Sequence, residues 1–92
     1  MQAHYNLGYA LATQGKFNEA IAACRAALRV RPDFVQTYNN LGLYLVRVGK
    51  PDEALNQFTE ALRINPNFAE AHLNLARLLV QLGRREEAEA SG

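Results

Sequence analysis

Three kinds of side chain in this 92-residue sequence could do covalent or metal chemistry: one thiol, two imidazoles and one dense run of charge. A cysteine acts as nucleophile or ligand through its thiolate, which needs a cationic setting. Cys24, the only cysteine, instead shares a helical stripe with Ala20, Ile21, Ala27 and Leu28, where a thiol is a small hydrophobe. Zinc needs its ligands gathered at one point. His4 and His72 stand far apart at equivalent, core-facing positions, so both are expected to be structural. Gly83-Arg84-Arg85-Glu86-Glu87 reads as a solvated loop and helix start, because a phosphate cradle needs a glycine-rich loop and none is present. The expectation is a chain without catalytic residues, metal or cofactor.

Carboxamides give a different signal. Asn6, Asn40 and Asn74 recur every 34 residues, each inside a stretch of helical apolar spacing, although asparagine is a below-average helix former. The same offset places Leu7-Gly8 on Leu41-Gly42, Gly15-Lys16 on Gly49-Lys50, Glu19-Ala20 on Glu53-Ala54, Ala27-Leu28-Arg29 on Ala61-Leu62-Arg63, and Pro32 on Pro66. Residues 1–34 and 35–68 are therefore two units of a single domain, 1–92. Residues 69–92 are a truncated third, which retains Asn74-Leu75, Leu79-Val80, Gly83 and Glu87-Ala88.

Each unit reads as two helices. Gly15, Gly49 and Gly83 stand where the first helix should stop, since glycine takes the left-handed C-terminal conformation without steric cost. Pro32 and Pro66 stop the second; Asp33 and Asn67 then cap the next helix, and Asp52 behind Pro51 helps start another. This predicts helices over 2–14, 18–30, 35–48, 52–64 and 69–82, then a stub from about 85. Gly8, Ala20 and Ala27, with Gly42, Ala54 and Ala61, allow paired helices to approach at the short end of the ~8–10 Å range. Bulkier side chains fill in beside them: His4, Tyr38 and His72 on first helices, Cys24 and Phe58 on second.

Composition narrows the class. Ten Lys and Arg against nine Asp and Glu leave a formal charge of +1, too balanced for a phosphate-backbone groove, so nucleic acid is not an expected partner. No apolar run approaches the ~18 residues of a membrane span. With one cysteine and no signal-peptide pattern after Met1, the expected compartment is reducing, the cytoplasm.

Together, Leu7-Gly8, Ala20, Ala27 and Pro32, with Leu41-Gly42, Ala54, Phe58, Ala61 and Pro66, resemble the tetratricopeptide repeat along the whole chain. Departures are His4 and Cys24 at places usually aromatic, and Ala76 for glycine in the third unit. The resemblance implies an all-α fold of tandem antiparallel helix hairpins, stacked as a right-handed α-solenoid. It also implies a concave wall that binds a segment of another protein.

By helical phase that wall carries Gln2, Tyr5, Asn6, Tyr9 and Thr13. It continues through Gln36, Asn39, Asn40, Leu43, Val46 and Arg47, then Glu70, Leu73, Asn74, Arg77, Val80 and Gln81. An asparagine amide offers a donor and an acceptor, as does the peptide unit of an extended chain. Units spaced by ~10 Å set one rung about every three residues of a strand rising ~3.3 Å per residue. The pattern is similar to the asparagine ladder in the superhelical repeat domain of O-linked N-acetylglucosamine transferase. Against this stands the plainer reading, in which the asparagines satisfy neighbouring helices or face water. Tyr5 and Tyr9 either anchor the ligand with Arg77 or pair with each other at i, i+4. The family's two-carboxylate clamp for acidic chaperone tails is not expected, because the matching places hold Tyr5, Tyr9, Asn40, Glu70 and Asn74.

The third unit stops ten residues short of 34, which marks the chain as a fragment or a self-associating short form. That leaves Leu75, Leu78, Leu79 and Leu82 expected to lack intramolecular cover and to form an oligomer interface. Self-association as a homodimer is thus the alternative to peptide capture.

Overall fold

The structure, a computed structural model, describes the backbone of residues 3–91 and the side chains of residues 7–84. Gly15 and Gly49 have φ of 80° and 81°. This left-handed conformation ends α1 (Ala3–Thr13) and α3 (Val35–Arg47) and turns the chain into α2 (Phe17–Val30) and α4 (Pro51–Ile64). The same bond closes both turns: the Lys16 amide donates to the Leu11 carbonyl and the Lys50 amide to the Leu45 carbonyl, each at 2.9 Å. At the other end of each pair, Pro32 and Pro66 precede α3 and the final helix, α5 (Ala69–Ser91).

The result is an all-α stack of antiparallel hairpins measuring 48 × 29 × 17 Å. Helices α1, α3 and α5 neighbour one another on one side; α2 and α4 lie behind them, α2 also touching α3 and α4 touching α5. Small residues set the separation. Ala20, Ala54 and Ala61 are fully buried beside Cys24, Leu45 and Phe58. A Cβ added to Gly42 would lie 2.5 Å from the Phe58 ring, so this crossing requires hydrogen there. Arg25 and Glu53 tie α2 to α4 across 3.5 Å, a solvent-exposed pair worth less than ~1 kcal/mol.

The bulky place on the first helices has a specific task. Tyr38 Oη donates to the Pro32 carbonyl at 2.9 Å, and His72 Nε2 lies 2.6 Å from the Pro66 carbonyl. Each side chain reaches back six residues to the unit boundary, which accounts for His72 structurally. The side chain of His4 lies outside the described residues.

Three expectations need correction. Gly83 does not end a helix: α5 runs straight through it for 23 residues to Ser91. Asp33 does not cap α3, whose N-cap is Phe34 without a side-chain bond. Before α5 the Asx turn belongs to Asn65, whose Oδ1 accepts from the Asn67 amide at 3.2 Å. Leu7 is exposed, because α1 has no described helix on its outer side, whereas Leu41 at the same register is buried.

Candidate functional site

The concave side of α1, α3 and α5 forms one open cavity of about 460 Å³. Its floor is apolar: Ala12, Phe17, Leu43, Tyr44, Val46, Phe58 and Leu78. Its polar rim is Tyr9 and Thr13 from α1, Asn40 and Arg47 from α3, and Asn74, Arg77 and Gln81 from α5. Both charged residues on this lining are arginines. The Arg47 guanidinium lies 5.6 Å above the Phe17 ring, which itself stands 6.1 Å from Tyr44, so the cation is held over the aromatic floor.

The two described asparagines of the 34-residue series open onto this same cavity, 40 from the middle helix and 74 from the last. Asn40 is only 7% exposed, and its Oδ1 accepts from Gln36 Nε2 at 3.3 Å. Its amide nitrogen makes no hydrogen bond among the described residues. Asn74 is complementary. Its Nδ2 donates to Asn39 Oδ1 at 2.9 Å, and its own Oδ1 has no partner among the described residues. One rung therefore presents a donor and the next an acceptor, with the amide orientations fixed by these bonds.

Of the residues the sequence places on the wall, Tyr9, Asn40, Leu43, Arg47, Asn74 and Arg77 come together here. Asn39 does not. It is buried beneath Asn74 as that residue's acceptor, because position 39 faces the next unit rather than the groove. Leu73 and Val80 likewise leave the wall and point out from the far side of α5, exposed. Tyr5 and Asn6 have side chains outside the described residues.

The leucines of α5 also divide differently from expectation. Leu78 is 2% exposed, part of the core and of the groove floor. Leu75 and Leu82 pack half-buried against that core. Only Leu79, 52% exposed, stays open, since α4 and α3 cover the face on which the others lie.

Sequence reasoning missed the aromatic floor. Phe17 follows the Gly15 turn by two residues, and its counterpart in unit two is Pro51, so the repeat comparison hid it. Cys24 offers no reactive group to the site: burial pushes its thiol from 9.0 up to about 12, which keeps it protonated. Among the described residues no group of three or more His, Cys, Asp or Glu could hold a metal ion, and no helix is long and apolar enough to cross a membrane.

The architecture is that of a helical-hairpin repeat module with a ligand-sized groove. Profiles described as tetratricopeptide repeat match residues 1–67 and residues 45–91, and the chain belongs to that family. No curated protein matches it. Among solved structures it is similar to the first tetratricopeptide domain of Spaghetti (RPAP3) bound to the HSP90 peptide SRMEEVD, with TM-score 0.78 and 24% identity. The match covers 83% of this chain and 60% of that one, a likeness of fold.

Proposed function

We propose that the groove binds an extended segment of another protein and that the chain performs no reaction itself. The observation that carries this reading is the pairing, above an apolar floor, of two groups that have no partner among the described residues. The Asn40 amide nitrogen and the Asn74 Oδ1 offer a donor and an acceptor on neighbouring helices, in the manner of an asparagine ladder. A peptide carbonyl and N–H satisfy them, while side chains alternating along the strand enter the space over Leu43, Tyr44 and Leu78. The similar RPAP3 domain is bound to a peptide, which supports peptide binding by this fold, though not by the same contacts. A buried, protonated Cys24 suits residence in the reducing cytoplasm.

The acidic-tail clamp is not part of this reading. Of the family's clamp places, the described ones hold Tyr9, Asn40, Glu70 and Asn74, with no lysine or arginine among them. Selection of random peptides on the immobilised chain tests the proposal. Peptides recovered should lose binding to Leu43→Glu, which puts a charge on the floor, and SRMEEVD should bind far more weakly than they do. Selected peptides that ignore Leu43→Glu refute the groove; tight SRMEEVD binding refutes the ladder as the basis of recognition.

A further inference from the structure

The two cations of the groove are not part of the repeat. Arg47 shares its register with Thr13 and Gln81, and Arg77 shares its own with Tyr9 and Leu43, whereas packing residues such as Ala20 and Ala54 recur unchanged. Helix packing therefore asks for arginine at neither place. Nor does the fold neutralise them. Helices α1 and α3 contain no Asp or Glu, and no carboxylate lines the cavity. On α5, Glu70 is the one carboxylate among the residues with described side chains, and it lies ~10 Å along the helix from Arg77. The described ion pairs are made on or beside α2 and α4: Arg25 and Lys50 with Glu53, and Arg63 with Glu60. Arg47 is also preorganised. Its guanidinium lies 5.6 Å above the Phe17 ring, and a guanidinium stacked by its face keeps its edge donors for a carboxylate in bidentate geometry. Stacking also restrains the side chain, so less freedom is lost when a ligand arrives.

We infer that the occupant of the groove is an extended protein segment in which Asp or Glu alternates with apolar residues, its carboxylates pairing with Arg47 and Arg77. The inference rests on the groove as the binding surface and adds the charge of what fills it. Helices α3 and α5 touch through Asn39 and Asn74. The backbone positions of 47 and 77 therefore stand ~10 Å apart across neighbouring helices and ~6 Å along them. About four residues of extended chain, rising ~3.3 Å each, cover that distance, so one short segment reaches both arginines. Alternate side chains of such a segment share a face, which sets apolar residues over Leu43, Tyr44 and Leu78 beside the acidic ones. A free chain end is not required, because 47 and 77 are not among the places of the acidic-tail clamp.

Random-sequence peptides selected on the immobilised 92-residue chain test the inference. They should be enriched in Asp and Glu over Lys and Arg. Replacing the acidic residues of a recovered peptide with Asn or Gln should weaken binding about tenfold or more in calorimetric titration, the worth of a charge-assisted hydrogen bond. Arg47→Gln and Arg77→Gln should each weaken the acidic peptide and affect its neutral version far less. Helical circular dichroism should match the parent, since both arginines are exposed. Arg47→Glu should recover binding to a peptide with Lys in place of its acid. Amidating the peptide's C-terminus should change nothing. Peptides that lose binding to Leu43→Glu yet show no acidic preference, or ignore both arginine variants, overturn the inference and leave the groove standing. An affinity lost on amidation also overturns it, since the recognised carboxylate is then the chain end. Peptides indifferent to Leu43→Glu remove the groove and the inference together.

Discussion

Gly42→Ala is expected to destabilise the chain although alanine is the better helix former. The new Cβ would stand 2.5 Å from Phe58 Cε1 and 2.8 Å from Cδ1 and Cζ, where an unstrained carbon contact is ~3.5–4.0 Å. The ring must withdraw by roughly 1 Å, yet it is 1% exposed in the middle of the core. Overpacking of this kind costs ~1–3 kcal/mol, and the helix propensity gained is ~1 kcal/mol. The net loss is about 1 kcal/mol, a fall in Tm of ~4–8 °C for a domain of this size. Gly8→Ala is the internal control. Its added Cβ meets the Ala20 carbonyl at 3.3 Å and Cys24 Sγ at 3.5 Å, so its effect should lie within ~0.5 kcal/mol of zero. Urea unfolding of both variants, with Gly42→Ala repeated in a Phe58→Leu background, isolates the contact as a coupling energy. If Gly42→Ala matches Gly8→Ala, or loses as much stability in the Phe58→Leu background as beside the native ring, the close crossing of α3 and α4 is not what demands glycine.

Three further outcomes follow from burial. Thr37 is fully buried with Oγ1 unpartnered among the described residues, and alanine occupies both equivalent positions, Ala3 and Ala71; Thr37→Ala should raise stability by ~1 kcal/mol in thermal or chemical unfolding. Leu78→Ala should cost ~2–5 kcal/mol, whereas Leu79→Ala should cost far less, as calorimetry will read. The folded Cys24 thiol holds its proton up to about pH 12, against 9.0 for the ordinary group. Its contribution to stability is therefore whole below pH ~9 and is lost at about 1.4 kcal/mol per pH unit as pH rises from there towards 12. The difference in unfolding free energy between the parent and Cys24→Ala should shrink with that slope, and a pH-independent difference would refute the burial argument.

The helices were legible in the sequence wherever a neighbouring helix agrees with the local signal. Gly15 and Gly49 turn because α2 and α4 dock back on the helices before them. Gly83 carries the same signal, but among the described residues no helix returns along α5. Local preference then decides, and Arg84-Arg85-Glu86-Glu87-Ala88 are good helix formers that outweigh the ~1 kcal/mol cost of an internal glycine. The groove was legible in part. Helical phase brought Asn40, Asn74, Arg47 and Arg77 together, but it assigned Asn39 to the same stripe, one residue and ~100° away. Only the contact between α3 and α5 shows that this carboxamide is spent on Asn74. Asn74→Ala accordingly strands a buried acceptor on Asn39, at a cost of ~1–3 kcal/mol.

The side-chain amide resonances of Asn40 and Asn74 give the most direct reading of the groove. Titrated with a peptide selected on the immobilised chain, both carboxamides should shift together along one saturation curve, with the backbone signals of Leu43 and Arg77. Asn40→Ala, which spares the bond between 74 and 39, should then weaken binding ~2–10-fold, the worth of one neutral hydrogen bond. Saturation with both amide signals unmoved, or unchanged affinity for Asn40→Ala, would mean that these helices hold their ligand by some other surface.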